Sequence, residues 1–302
     1  MCHRHARVFL AATPLTASSA IRGLEPLVNL ARLQIRAGHA DEGRQRLLDL
    51  YDAVGSASSA EFEGITVAAD LCRTEDDRQE VRAWLWRVVI ADGTRTLTSA
   101  GRWSEALAHI EKHRGVGLRM LDGRQVAVLA ALTDRDTSRA SDLLGATTSG
   151  DPWDQAVTDC LHALCRREAE QDVDTCLAAL VDTYLARNAE PGLTVFDIRL
   201  GLTVLDVTGR PDYTAARTIV DSLVARTIAA RDAYAAREIL ADVRFSALAT
   251  ERRRRDVLAL LQACGLDVVD VPAEHADAVS AGLDSSEAII ARSLAAATPS
   301  GA

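Results

Sequence analysis

The chain of 302 residues lacks any apolar run near the ~20 residues that would cross a bilayer, so we expect no membrane-spanning segment. Only 4% of its residues are aromatic, and glycine and proline are sparse, which excludes collagen-like and low-complexity assemblies. With 48% hydrophobic and 25% charged residues, the composition is that of a globular protein and excludes a disordered one.

Lysine is nearly absent, because Lys112 is the single lysine in the chain. Schiff-base or P-loop chemistry would depend on that residue alone, and no phosphate-binding glycine loop, nucleophile elbow or dinucleotide fingerprint is present. The net charge is −9, which repels a phosphate backbone on average. These features argue against nucleic acid as the main partner, and they predict no cofactor.

The six cysteines include no CxxC pair, and several fall on apolar helical stripes, where a free thiol behaves as a small hydrophobe. This usage favours the reducing cytoplasm over a disulfide framework. At the N-terminus, residues 8–12 mimic the apolar part of a signal peptide, but Thr13 and Pro14 interrupt the run early. We therefore expect residues 1–19 to form a flexible leader.

Apolar residues recur at the spacing of amphipathic helices along almost the whole chain, which predicts an all-α protein. Capping signals agree, since Thr74 and Thr250 each precede a run of charged residues that begins with glutamate. Strand signals are limited to two short runs, residues 62–67 and 266–271, and neither has a convincing partner.

A short pattern is repeated along the chain. In residues 37–43 and again in 100–106, a glycine stands at a predicted turn between helices, a small residue follows at +5, and an aliphatic residue at +9 (Leu47 and Ile110). Weaker copies of the pattern are anchored at Arg135, Gln171 and Pro211. The five anchors are separated by 63, 34, 36 and 40 residues, so the first spacing equals about two repeats of ~34 residues.

This pattern resembles the second half of a tetratricopeptide repeat. The resemblance implies antiparallel helix pairs stacked as a superhelical solenoid over residues 20–265, with an irregular loop at 55–71. Residues 266–302 would then form a C-terminal capping helix, near 286–296, followed by a frayed tail. An irregular helical bundle is the alternative architecture.

Two groups of residues are candidate metal ligands. Asp76, Asp77 and Glu80 form an Asp-Asp-x-x-Glu arrangement similar to the magnesium cluster of all-helical terpene synthases, but acids in a first helical turn also stabilise the helix dipole. His109 and His113 share one helical face and could hold zinc, although a histidine near a helix end is also favourable for structural reasons. We interpret all five residues as structural and predict no metal.

Two arginine-containing groups are candidate binding residues. Arg82 and Trp86 are four residues apart and therefore lie on one helical face, with Arg87 beside them in sequence. Exposed tryptophan and arginine commonly anchor binding hot spots, and the alternative is that Trp86 is buried against the next repeat. Arg252 and Arg255 delimit a run of four arginines in the first turns of a predicted helix. A phosphate or an acidic peptide could dock there, and a solvated face is the alternative.

We therefore expect a noncatalytic adaptor or regulatory module that binds a protein or peptide partner in a helical-repeat groove. The alternative is an all-helical enzyme or accessory protein of specialised metabolism, with a divalent metal at the acids from Glu75 to Glu80. A groove lined by arginine, tryptophan and tyrosine would favour the module, whereas a deep pocket with converging carboxylates or histidines would favour the enzyme.

Overall fold

The structure is a computed structural model that describes residues 1–209, 214–266 and 272–297. In chain order its first helices are α1 (Cys2–Leu10), α2 (Ala17–Arg36), α3 (Ala40–Ser56), α4 (Glu75–Val88), α5 (Thr94–Ser99) and α6 (Trp103–Lys112). They are followed by α7 (Asp122–Thr133), α8 (Thr137–Gly145), α9 (Pro152–Glu168), α10 (Asp174–Ala186) and α11 (Thr194–Thr208). The remaining helices are α12 (Thr214–Ala230), α13 (Ala233–Ala241), α14 (Val243–Leu248), α15 (Glu251–Ala263) and α16 (Ala273–Ala297).

The chain divides into two compact units, each with its own buried apolar cluster. Unit 1 comprises residues 1–116 and 271–302, and unit 2 comprises residues 117–270. The described residues are almost entirely helical, apart from one two-stranded sheet, which confirms the predicted all-α class.

In unit 1, α2 and α3 pack against each other across a three-residue turn. Gly38 has φ +95° in this turn, a conformation that favours glycine. Gly43, at the +5 position of the repeated pattern, faces α2 so closely that a Cβ there would lie 2.6 Å from the carbonyl oxygen of Ala31. Leu47, at +9, is buried. The pattern therefore marks a close helix–helix contact.

Two of the other anchors, Gly101 and Arg135, behave similarly, whereas Cys176, at +5 after Gln171, is only partly buried. Gly101 turns between α5 and α6 with φ +70°, and Arg135 turns between α7 and α8 with φ +60°. The +5 and +9 residues after these two anchors are buried; they are Ala106, Ile110, Ala140 and Leu144. Pro211 lies outside the described residues. The stacking of the helix pairs as a solenoid stays a prediction.

Residues 1–19, which we expected to be a flexible leader, include the helix α1 instead. Ala6, Phe9 and Leu10 are buried, and α1 packs on α2. These three residues have the i, i+3, i+4 spacing of an amphipathic helix, a signal that the resemblance to a signal peptide obscured. Arg4 of α1 also pairs with Asp284 and Glu287 of α16.

The segment 55–71, predicted as an irregular loop, holds the end of α3 and a short hairpin. Strands β1 (Ala60–Phe62) and β2 (Ile65–Val67) pair in antiparallel register, with Phe62 opposite Ile65. Both turn residues, Glu63 and Gly64, have positive φ, as the type I′ turn of a two-residue hairpin requires. The predicted capping helix is part of the longer α16, whereas residues 267–271 and the tail 298–302 lie outside the described residues.

Candidate functional site

An open groove of about 710 Å³ lies in unit 1, between α3, α4 and the C-terminal end of α6. We call it the basic groove. Its cationic lining residues are Arg82, Lys112 and Arg114, and its ring-bearing ones are Tyr51, Trp86 and His113. Gln79 and Ala83 complete the lining, so none of these described residues is acidic. The volume lies within the range typical of ligand sites in proteins.

Helix α4 presents one complete face to the groove. Its lining residues are Gln79, Arg82, Ala83 and Trp86, at the i, i+3, i+4, i+7 spacing of a single helical stripe. The opposite stripe is buried in the core and consists of Val81, Leu85 and Val88. The core therefore fixes the rotation of α4, and that rotation directs the polar stripe into the groove.

The start of α4 is anchored by its cap. The hydroxyl of Thr74 accepts a hydrogen bond from the backbone N–H of Asp77 at 3.1 Å, as the sequence predicted. The Asp77 carboxylate in turn accepts from the Thr74 hydroxyl and from the backbone N–H of Ala17, each at 2.7 Å. The bond from the Thr74 hydroxyl is the main reason that the pKa of Asp77 is lower than usual, and the bond from Ala17 lowers this pKa further. Asp77 is therefore a structural residue.

Trp86 joins α4 to the end of α6. Its indole Nε1 donates to the carbonyl oxygen of His113 at 2.8 Å, and its side chain is half-buried. Trp84, two residues earlier, packs half-buried against the core of unit 1. The two tryptophans thus face different surroundings, as their spacing requires. The indole of Trp86 forms one wall of the groove, and its hydrogen bond fixes the position of that wall.

Arg82 lies across the surface of α3. Its guanidinium carbon is 5.3 Å from the centre of the Tyr51 ring, a cation–π arrangement. One turn along α3, a Cβ on Gly55 would lie 3.1 Å from Nε of Arg82, so the absence of a side chain there makes room for the arginine. The ring of Tyr51 also meets the ring of His113 edge-on, at 5.7 Å. Arg82 is thereby held above the groove while its guanidinium stays exposed to solvent.

His109 of α6 and His113, which directly follows that helix, lie side by side, with ring centres 4.9 Å apart. His109 is buried, and its Nε2 donates to the carbonyl oxygen of Val89 at 3.1 Å. Burial lowers the pKa of His109 and is opposed by this hydrogen bond. Burial also lowers the pKa of His113, and the neighbouring His109 and Lys112 act in the same direction. Both imidazoles are therefore neutral at pH 7, and the positive charge of the groove comes from arginine and lysine.

The metal candidates do not come together. Asp76 and Glu80 are exposed on the first turns of α4, where Asp77 serves as a capping residue. His109 and His113 meet only each other among the five candidates. Within the described part of the chain, no three His, Cys, Asp or Glu side chains are grouped as a metal site would require.

The remaining binding candidates lie elsewhere. Arg87 is exposed on the last turn of α4, outside the basic groove. Arg252 and Arg255 are exposed on α15 in unit 2, and Arg255 lies 4.0 Å from Glu251. Between them, Arg253 pairs with Asp221 and Arg254 with Glu251, so acids neutralise much of this arginine run.

The structure therefore brings together three of the predicted residues, Arg82, Trp86 and His113. Tyr51 and Arg114 were not predicted from the sequence, where Lys112 stands out only as the single lysine. No local signal marks Tyr51, because its role depends on the packing of α3 against α4. Gln79 could have been found as the first residue of the polar stripe on α4.

Comparison of the chain with protein-family models, with curated proteins and with solved structures gives no match. None of the described helices is both long enough and apolar enough to span a membrane. The function of the chain is therefore inferred from the chemistry of its own surfaces.

Proposed function

We propose that this protein is a noncatalytic binding module that takes an acidic segment of a partner protein into the basic groove. The observation that carries the proposal is the convergence of Arg82, Trp86 and His113 with a second set of cations and rings from α3 and α6. Arginine and tryptophan are the residues most enriched at the centres of protein interfaces.

The positive charge of the basic groove favours an acidic partner. Three fixed cations line it, and carboxylates are the protein groups that guanidinium and ammonium bind best. Residues 1–116 carry 15 basic and 15 acidic residues, so the net charge of −9 resides in the rest of the chain. An acidic peptide therefore meets a locally positive groove on a part of the sequence that is neutral as a whole.

The aromatic side chains of the groove place a second requirement on the bound segment. Trp86 and Tyr51 offer apolar faces beside the cations, and such amphipathic rings give contact area at a small cost in side-chain entropy. We therefore expect the bound segment to combine carboxylates with an apolar or aromatic residue.

The enzyme alternative lacks a comparable observation. Its metal would sit at the acids from Glu75 to Glu80, where Glu75 pairs with Arg78 and Asp77 caps α4. Hydrogen bonding to Arg78 lowers the pKa of Glu75. These acids are already engaged in stabilising the start of a helix.

We also propose that the helix pairs are divergent tetratricopeptide-like repeats that stack as a solenoid. The positive-φ turn at Gly38 and the close approach at Gly43 support this proposal. A reducing compartment such as the cytoplasm is part of the same proposal, supported by the free thiols of all six cysteines.

The proposal is tested with a fluorescein-labelled octapeptide of glutamate and leucine, whose binding is followed by fluorescence anisotropy. Arg82→Gln should weaken binding about tenfold, or ~1.4 kcal/mol. Arg87→Gln is the matched control, because it removes an exposed arginine of the same helix outside the groove. Equal affinities of the two variants, or no binding of the acidic peptide at low salt, would overturn the proposal.

A further inference from the structure

Unit 1 holds a second polar cleft, which the basic groove does not include. It has a volume of about 590 Å³ and lies between the C-terminal half of α2 and the segment that joins α4 to α5. Arg32 and Arg36 line it from α2, and Arg95 and Ser99 line it from α5. Asp92 is the acidic residue of its described lining. We call it the arginine cleft.

A π-helical turn, Val89–Gly93, separates α4 from α5 and shapes this cleft. Such a turn accommodates one residue more than an α-helical turn, so it rotates the following side chains by about 100° relative to an uninterrupted helix. Arg95 and Ser99 follow the turn at i, i+4 spacing, as Arg32 and Arg36 do on α2. The π-helical turn thereby directs Arg95 and Ser99 towards the cleft that Arg32 and Arg36 of α2 also line.

The side chain of His109 packs against the π-helical turn and holds it in place. A Cβ on Gly93 would lie 2.8 Å from Nε2 of His109, so only glycine fits under the imidazole. The same Nε2 donates to the carbonyl oxygen of Val89, the first residue of the turn. Single π-helical turns are frequent at functional sites, and this one has a buried histidine that stabilises it.

The charges of the arginine cleft do not balance. Asp92 is largely buried and accepts from Nε of Arg32 at 2.8 Å, while Asn29 accepts from the other side of the same guanidinium at 3.1 Å. Arg32 is therefore neutralised and fixed. The side chains of Arg36 and Arg95 are exposed, and their charges add an excess of two positive charges to the cleft. Like charges in one cleft repel each other, and a bound anion relieves that repulsion.

We propose that the arginine cleft binds a small phosphomonoester. A phosphomonoester carries −1.5 to −2 charges near pH 7, which matches the excess from Arg36 and Arg95. Its three terminal oxygens can accept hydrogen bonds from both walls at once, and they carry more negative charge than the two oxygens of a carboxylate. The hydroxyl of Ser99 is a further donor, and the volume suits a small organic molecule rather than a bare ion.

The test uses phenyl phosphate, titrated into the full chain by isothermal calorimetry at low salt, with benzoate as the carboxylate probe. The variant is Arg36→Gln with Arg95→Gln, and the control is Arg22→Gln with Arg87→Gln, two exposed arginines of α2 and α4 outside the cleft. We expect one phenyl phosphate per chain, a loss of affinity of about tenfold or more in the cleft variant, and wild-type affinity in the control.

The other outcomes overturn the proposal. Equal binding of benzoate would show a nonspecific anion site, and equal losses in both variants would show that net charge alone matters. Binding of a phosphoserine peptide without binding of phenyl phosphate would indicate that the cleft recognises a phosphorylated protein and not a small phosphomonoester. The cleft variant should keep wild-type unfolding by urea and wild-type affinity for the acidic octapeptide, so this proposal and the proposed function of the basic groove fail independently.

Discussion

A buried ion pair in unit 2 offers the sharpest test of the packing. Arg187 follows α10 and pairs with Asp197 of α11 at 2.9 Å, and the two side chains are only 9% and 5% exposed. The guanidinium of Arg187 also lies 5.8 Å from the ring centre of Phe196, whose ring meets that of Trp153. The pair therefore joins the ends of two helices beneath an aromatic cluster.

Asp197→Asn keeps the size of the side chain but removes its charge, which leaves the guanidinium buried without a counter-ion. Breaking one partner of a buried pair costs about 3–5 kcal/mol of unfolding free energy. Replacing both partners with apolar residues, Arg187→Met with Asp197→Leu, should return stability to within about 1 kcal/mol of wild type. At a pair more exposed than this one, Glu238→Gln opposite Arg199, the cost should stay below about 1 kcal/mol.

The assay is urea unfolding of protein labelled with 5-fluorotryptophan, followed by ¹⁹F NMR. Trp153 is the one tryptophan between residues 117 and 270, so its signal reports unit 2 separately from the three tryptophans of unit 1. The expected result is a large loss for Asp197→Asn and a recovery in the double variant. A loss below about 1 kcal/mol for Asp197→Asn would refute the inference that this pair is shielded from solvent.

Three further predictions concern unit 1. Gly93→Ala places a methyl group 2.8 Å from His109 Nε2 and should cost about 1–3 kcal/mol in urea unfolding, whereas Gly145→Ala, which meets nothing within 4 Å, should change stability by less than about 1 kcal/mol. Because burial holds the pKa of His109 below its unfolded value of about 6.5, the unfolded chain binds the proton first, and stability should fall as pH drops below that value. His109→Gln should reduce this slope between pH 7 and pH 5, and an unchanged slope would contradict the burial. Thr74→Ala should cost about 1 kcal/mol through loss of the helix cap, and a neutral result would contradict the capping bond.

Local patterns in the sequence predicted the helices well because each pattern has a local physical cause. The glycine at 38, the small residue at 43 and the aliphatic residue at 47 mark a turn, a close contact and a buried position, and the structure has all three. Helix α1 was not predicted, because its short apolar stripe is flanked by histidine and arginine. Residues 62–67 carried a strand signal without a convincing partner, and the structure pairs residues 60–62 with residues 65–67 across a turn of two positive-φ residues.

The basic groove was only half predictable, for a physical reason. Arg82 and Trp86 share a helical stripe, so their proximity follows from the sequence of α4 alone. The positions of Tyr51 and Arg114 depend on how α3 and the end of α6 pack against that stripe, which no short pattern encodes. The π-helical turn was not predicted either, because the histidine that packs on Gly93 and bonds to Val89 comes from another helix.

The most direct test of the basic groove is a titration of ¹⁵N-labelled protein with the acidic octapeptide, observed through the tryptophan indole N–H signals. The signal of Trp86 is identified by its absence in Trp86→Phe. Its N–H is bonded to the carbonyl oxygen of His113 at the edge of the groove, so binding should shift this signal while that of Trp153 stays in place. Saturable peptide binding that leaves the Trp86 signal unmoved would contradict the account.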